Sequence, residues 1–104
     1  MKQYGLSEQV ISSIVNVFQN YSELKEVVLY GSRAMGNYRN GSDIDITLKG
    51  EGLNLHTLNS ISIDLDNLML PYTFDISILD HIDNQELINH IGRRGVLLYR
   101  RAAV

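Results

Sequence analysis

Residues 27–48 read VVLYGSRAMGNYRNGSDIDITL, a run in which a short apolar segment leads into a glycine-rich loop and then into alternating Asp and Ile. β-Branched and aromatic residues in so short a segment favour a buried strand over 26–30. The alternation of polar and apolar residues over 43–48 predicts a second strand. Between the two, recurring Gly, Asn and Ser predict a loop with at most a turn or two of helix.

Two further segments place their apolar residues at helical spacing. The first covers 7–20, behind Ser7 as a candidate N-cap. The second covers 53–70, and Pro71 should end it because the proline ring removes a backbone donor and disfavours helical geometry in the preceding residue.

One more helix and two more strands complete the pattern. Alternation over 72–79 predicts a third strand. Asp83 followed by Glu86 resembles a capping box and predicts the start of a last helix, which Gly95 should close as the residue after the helix. A short strand is then predicted over 96–99.

The order of these elements predicts an α/β (α+β) architecture, a mixed β-sheet with helices packed on it. With 104 residues, the chain has room for one domain, 1–104, and none for a separate substrate domain. The absence of cysteine excludes disulfides and thiolate zinc sites. Without a signal peptide or a long apolar run, the expected compartment is the cytoplasm, with no membrane partner. A net charge of −3 argues against nucleic acid as a direct substrate.

Period-two alternation puts Asp43 and Asp45 on one face of their strand. Two close like charges need a cation, and hard oxygen ligands suit Mg²⁺. Asp75 is the acidic residue on the polar face of the third strand, so three carboxylates converge if the two strands are neighbours. That is the ligand set of a two-metal phosphoryl-transfer site. A solvated strand face remains an alternative for the Asp43-x-Asp45 pair taken alone.

The segment before these aspartates strengthens the metal-site interpretation. Gly31 and Ser32 directly follow an apolar strand and offer backbone N–H groups and a hydroxyl to an anion. They are interpreted as a phosphate cradle. The Walker A and Rossmann glycine patterns are both missing, so the cradle belongs to neither class.

Gly31-Ser32, ten intervening residues and Asp43-x-Asp45 together resemble the Gly-Ser-x₁₀-Asp-x-Asp signature of polymerase β-like nucleotidyltransferases. The run GSRAMGNYRNGSDIDI is similar to the minimal, single-domain branch of that superfamily. Asp75 in YTFDISIL matches the third aspartate of the family pattern. The similarity extends to IGRRGVLLY and so covers 27–99.

The resemblance implies a role for each matched residue. Gly31 and Ser32 would hold the β- and γ-phosphates, and Asp43 and Asp45 would coordinate two Mg²⁺ ions, with Mn²⁺ as a substitute. Asp75 would complete one metal site and take the proton from the acceptor hydroxyl as general base.

Three more residues of the loop are candidates for nucleotide binding: Arg33, Arg39 and Ser42. A guanidinium fork matches phosphate geometry, so the two arginines are expected to contact phosphate. For each arginine, a solvated surface position is the alternative. Near the C-terminus four arginines form a local basic patch, for which a solvated helix end is favoured over an RNA contact: Arg93, Arg94, Arg100 and Arg101.

By resemblance, the chain is expected to transfer a nucleoside monophosphate, AMP from ATP, to a hydroxyl of a HEPN-domain protein, as an antitoxin modifies its toxin. The lack of room for an acceptor domain is consistent with an acceptor on another protein. A second hypothesis is a binding module that neutralises such a partner by occlusion, without catalysis. A third is an aminoglycoside-type enzyme, which would need additional substrate-binding structure. The sequence leaves homo- or hetero-oligomers open.

Overall fold

A computed structural model of the chain describes residues 2–102, and all elements lie in that range. In chain order they are α1 (Glu8–Phe18), β1 (Glu26–Tyr30), α2 (Ser32–Met35), β2 (Ile44–Lys49), α3 (Leu55–Asp66), β3 (Phe74–Ile78), a 3₁₀ turn (Leu79–His81), α4 (Gln85–Arg94) and β4 (Val96–Arg100). Within these residues, no helix combines the length and the apolar character needed to cross a membrane.

The strands form one sheet in the order β3-β2-β1-β4. β1 lies antiparallel to both β2 and β4, whereas β2 and β3 run parallel. A parallel pair requires a crossover connection, and α3 provides it. The predicted mixed sheet with helices packed on it is confirmed.

One face of the sheet, called here the core face, is covered by α1 and α3. Successive strand residues point to opposite faces, so every second residue of β1 and β2 enters this core. The core therefore combines strand and helix side chains, among them Phe18, Leu29, Ile44, Ile46 and Ile61.

The opposite face bears Asp45 and Asp75 and is called here the carboxylate face. α4 packs on this face over β1, where Gly95 at the helix end lies against Val28. Asp75 on β3 stays exposed. The helix therefore covers the β1 side of this face, and the β3 side remains accessible to solvent.

The residues before α1 form a tight turn. Gln3 and Leu6 exchange two backbone hydrogen bonds of 2.9 and 2.8 Å. Tyr4 and Gly5 both have positive φ, 57° and 74°, as turns of the primed class require. Ser7 then caps α1, as predicted, by accepting a hydrogen bond from the third residue of the helix.

The helix predicted over 53–70 corresponds to α3, and its predicted end at Pro71 is wrong. α3 ends at Asp66, with Asn67 as its C-cap. Leu68 and Leu70 still pack against the core from outside the helix. The apolar pattern therefore continues past the end of the helix, and this continuation made the predicted helix too long.

Both ends of α4 differ in detail from the prediction. The N-cap is Asn84 rather than Asp83, and the Asn84 side chain accepts a hydrogen bond from Leu87 N at 3.2 Å. Gly95 ends the helix as predicted, but its φ is −68° rather than left-handed. A Cβ on Gly95 would overlap the Ile91 carbonyl oxygen and lie 2.6 Å from Val28 Cγ1, so close packing against both α4 and β1 explains this glycine.

Candidate active site

Strand pairing brings two of the three predicted carboxylates side by side. Asp45 on β2 and Asp75 on β3 are register partners in the parallel pair. Both lie on the carboxylate face, because Ile44 and Ile46 occupy the core face. Asp45 is partly buried and Asp75 is exposed. Since β3 is an edge strand, the pair is open to solvent on that side.

Asp43, the third predicted carboxylate, lies one residue before β2 and is exposed. Its charge nevertheless acts on Asp45. The pKa of Asp45 is raised, first by burial and then by the negative charges of Asp75 and Asp43, while the positive charge of Arg33 opposes the rise. Three negative charges therefore interact around one partly buried carboxylate.

These carboxylates do not form a closed metal cage. Across residues 2–102, no group of three or more Asp, Glu or His side chains is arranged to hold a metal ion by itself. The predicted convergence of three carboxylates is therefore only partial, in keeping with the mutual repulsion of like charges. Mg²⁺ is usually held by one or two carboxylates together with substrate phosphates, so the donors still fit an ion that binds with a triphosphate.

The predicted phosphate cradle lies directly against Asp45. α2 begins at Ser32 and is about one turn long, so its first backbone N–H groups have no partner within the helix. Gly31 has a φ of 76°, and a Cβ on this residue would overlap Asp45 Oδ2. Glycine is thus required both for the backbone angle and for the close approach. The cradle and the carboxylates are in contact.

Sequence analysis missed three residues beside the carboxylates: Tyr30, Thr47 and Ser77. Tyr30 is the register partner of Asp45, and Thr47 pairs with Ser77 two residues further along β2 and β3. The Ser77 hydroxyl donates to Thr47 Oγ1 at 2.9 Å. Thr47 and Ser77 each follow an aspartate by two positions, so the alternation of the strands could have identified them.

Tyr30 is largely buried next to this acidic pair. Burial raises the pKa of its hydroxyl, and a hydrogen bond with Ser77 opposes that rise. The charges of Asp75 and Asp45 raise the pKa further. Tyr30 therefore extends from β1 toward β3 and forms part of the floor of the site.

Arg33 is not in the solvated setting that the sequence offered as an alternative. Its side chain is 2% exposed, so the solvated-surface interpretation is wrong. The guanidinium donates to the Ser42 carbonyl at 2.8 and 3.1 Å and to the Tyr4 carbonyl at 2.9 Å. These bonds use three of the five guanidinium N–H donors, and the contact of Arg33 with phosphate stays a prediction.

Arg39 and Ser42 close a turn immediately before Asp43. The Arg39 backbone N–H donates to Ser42 Oγ at 2.8 Å, and the Ser42 N–H donates to the Arg39 carbonyl at 3.0 Å. The Ser42 hydroxyl thus shapes the turn, and its contact with nucleotide stays a prediction. The Arg39 side chain is exposed, and its phosphate contact also stays a prediction.

The four C-terminal arginines do not form one patch. Arg93 and Arg94 lie at the C-terminal end of α4, near the end of the sheet where β1 leads into Gly31. Arg100 lies at the opposite end of the sheet, where its Nε is 3.1 Å from Glu26 Oε2. A cavity of about 590 Å³ is found at that opposite end, away from Asp43, Asp45 and Asp75. Among its lining residues are Lys25, Lys49, Glu51, Asp80 and Arg101.

The family model described as "Polymerase beta, Nucleotidyltransferase" matches residues 12–103. No curated protein sequence matches the chain significantly. The match includes the cradle and all three aspartates, and its span extends over nearly the whole chain.

Solved structures share the fold. A toxin-antitoxin crystal structure with AMP-PNP superimposes with a TM-score of 0.70 at 22% identity, covering 92% of this chain and 75% of that chain. A complex of tri-AMPylated Shewanella oneidensis HEPN toxin with MNT antitoxin gives a TM-score of 0.67 at 18% identity, covering 90% and 72%. The toxin-antitoxin MntA-HepT gives 0.67 at 18% identity, covering 91% and 74%.

Proposed function

Because the chain belongs to the polymerase beta nucleotidyltransferase family, we propose that it transfers AMP from ATP to a hydroxyl group on a HEPN-domain protein. The contact between Gly31 and Asp45 carries this proposal, since it sets a phosphate-binding backbone beside a carboxylate. The residues that act in the proposal are Gly31, Ser32, Asp43, Asp45 and Asp75.

The triphosphate would bind along the first turn of α2. Unpaired backbone N–H groups and the Ser32 hydroxyl are the donors for the β- and γ-phosphates. The α-phosphate would then lie beside Asp45 and Asp75 on the carboxylate face. A side chain at Gly31 would fill the space between the phosphates and Asp45.

Asp43 and Asp45 would hold Mg²⁺ together with the phosphates, and Asp75 would complete one of two ion positions, with Mn²⁺ as a substitute. This assignment fits the chemistry of the donors, which are three hard oxygen ligands. Burial raises the pKa of Asp45, and the negative charges of Asp75 and Asp43 raise it further, a repulsion that a bound cation would relieve. When bound, the ions neutralise charge on the attacking and leaving oxygens.

In the transfer step, the acceptor oxygen attacks the α-phosphorus. The bond between that phosphorus and its bridging oxygen breaks, and pyrophosphate leaves. Asp75 accepts the hydroxyl proton. This role suits Asp75 because it is exposed on the edge strand β3, where an acceptor from another molecule can approach.

The choice of a HEPN-domain acceptor is supported by the relatives, one of which contains a tri-AMPylated HEPN toxin with an MNT antitoxin. Residues 2–102 form one sheet and its helices, with no additional unit in that range to bind an acceptor. In this proposal the chain acts as the antitoxin and attaches AMP to the toxin.

We expect intact-mass spectrometry to show the addition of one or more AMP groups to a HEPN partner after incubation with this chain, ATP and Mg²⁺. Asp43→Asn is the control and should leave the partner mass unchanged. A tight complex whose mass stays constant under varied nucleotides and metals would contradict the transfer and favour neutralisation by occlusion.

Asp75→Asn is expected to separate binding from chemistry. Nucleotide binding should stay within about threefold of wild type, because Asp43, Asp45 and the phosphates still hold an ion. Transfer should fall by about 10²-fold or more, because the acceptor hydroxyl loses its base. Calorimetry and single-turnover transfer rates measure the two effects. Transfer near the wild-type rate would show that Asp75 is not the base.

A further inference from the structure

Arg33 is a buried cation. Among residues 2–102, both ion pairs are made by Glu26, with Lys49 and Arg100, so no carboxylate forms an ion pair with Arg33. Burying an unpaired charge is costly unless other groups compensate it. Here two aromatic rings and two backbone carbonyls do so. The guanidinium carbon lies 5.5 Å from the centroid of the Tyr38 ring and 5.0 Å from that of Tyr72. Such cation–π contacts stabilise a desolvated cation.

The partners of Arg33 come from segments far apart in the chain. Tyr4 belongs to the N-terminal turn, and Tyr38 and Ser42 belong to the loop before β2. Tyr72 precedes β3, and the next residue, Thr73, accepts a backbone hydrogen bond from Ile44 at 2.9 Å. Arg33 itself lies in α2, next to Ser32. One side chain thus joins the segments that carry the cradle and the aspartates.

The contact with Ser42 has a direct effect on the site. The Ser42 carbonyl belongs to the peptide group whose nitrogen is that of Asp43. Two donors of Arg33 bond to this oxygen, so the guanidinium fixes the plane of the peptide bond between Ser42 and Asp43. Because Asp43 precedes β2, strand pairing does not restrain it in the same way.

We propose that Arg33 is a positioning residue that sets Asp43 relative to the Gly31-Ser32 cradle, with the Tyr4-Gly5 turn as its support. The proposal rests on the function proposed above, in which Asp43 binds Mg²⁺. Lysine would not replace Arg33, because one ammonium group does not reproduce the planar fork that bonds two carbonyls while lying over two aromatic rings.

The first test displaces the Arg33 side chain by a substitution at another residue, Gly5. A Cβ on Gly5 would lie 2.8 Å from Arg33 Nη1 and 2.5 Å from Tyr38 Cε2. Gly5→Ala should therefore shift the guanidinium. Gly52→Ala is the matched control, because Gly52 has φ 77° against 74° for Gly5 and a Cβ there meets no atom within 4 Å. Both variants place alanine at a similar positive φ, and only Gly5→Ala places its Cβ against Arg33 and Tyr38.

The readout is the Mg²⁺ concentration that gives half-maximal binding of a non-hydrolysable ATP analogue, together with kcat. We expect Gly5→Ala and Arg33→Lys to raise this concentration and to lower kcat about tenfold or more, since small displacements of catalytic groups have effects of this size. Gly52→Ala should match wild type. Asp43 would be displaced rather than lost, so excess Mg²⁺ should restore analogue binding in Arg33→Lys.

Each other outcome overturns the inference. An unchanged Mg²⁺ requirement in folded Gly5→Ala or Arg33→Lys would show that Arg33 does not position Asp43. Failure of both variants to fold would show that Arg33 maintains the fold rather than the site. If wild type itself showed no Mg²⁺-dependent analogue binding, the proposed function would fail first, and that result is distinguishable from the other two.

Discussion

Asp45→Asn is expected to lower AMP transfer by about 10³-fold or more and to abolish the Mg²⁺ dependence of nucleotide binding. Asparagine keeps the shape of the side chain but removes the charge that lies between Asp43, Asp75 and the Gly31 turn. Metal ions contribute several kcal/mol of transition-state stabilisation, and each 1.4 kcal/mol corresponds to about tenfold in rate. Calorimetric titration with a non-hydrolysable ATP analogue, with and without Mg²⁺, measures the binding effect.

Asp83→Asn is the matched control for this substitution. It makes the same chemical change at an exposed aspartate in the connection before α4. Binding and transfer should stay at wild-type levels in that variant. Unchanged metal-dependent binding in both Asp43→Asn and Asp45→Asn would instead show that these residues are solvated strand positions.

Gly31→Ala is expected to remove transfer altogether and to destabilise the protein by about 1–3 kcal/mol. The new methyl group would overlap Asp45 Oδ2, and alanine is strained at a φ of 76°. The Asp45 carboxylate would therefore have to move away from the cradle. Thermal unfolding measures the stability, and intact-mass analysis of the partner measures transfer.

Gly36→Ala isolates the effect of a positive φ in that prediction. Gly36 has a φ of 87°, but a Cβ there would meet no atom within 4 Å. This variant carries the cost of left-handed backbone, about 1 kcal/mol, without the overlap, whereas Gly31 has a ψ of −156° and adds a larger backbone cost of its own. Gly36→Ala should keep most of its transfer activity. Equal losses in Gly31→Ala and Gly36→Ala would attribute the effect to backbone strain rather than to the contact with Asp45.

Local patterns in the sequence were sufficient for the strands, to within one or two residues at their ends, and for the faces on which Asp45 and Asp75 lie, but they placed Asp43 inside a strand that begins one residue later. Period-two alternation placed Asp45 and Asp75 correctly on the polar faces of β2 and β3, because the apolar partners in each strand must be buried. That β2 and β3 are neighbours was assumed in the prediction rather than derived from the sequence. It depends on contacts between segments separated by α3, which no local pattern records.

The burial of Arg33 could not be predicted from local sequence patterns. The residues next to it, Ser32 and Ala34, belong to a loop that looked exposed, and an arginine there is usually solvated. Its burial depends on Tyr4 and Tyr72, which come from opposite parts of the chain. Similarly, Asp83 and Asn84 are equally good caps, and the structure uses Asn84.

The parallel pairing of β2 with β3 affects how the protein folds. Asp45 and Asp75 are thirty residues apart, and the crossover through α3 must close before they meet. Contacts of this sequence separation form at a cost in loop entropy, and here they also bring two negative charges together. Strand closure at the site is therefore opposed by repulsion in the free protein. A divalent cation bound with a nucleotide would relieve that repulsion, so ligand binding and the pairing of β2 with β3 would stabilise each other.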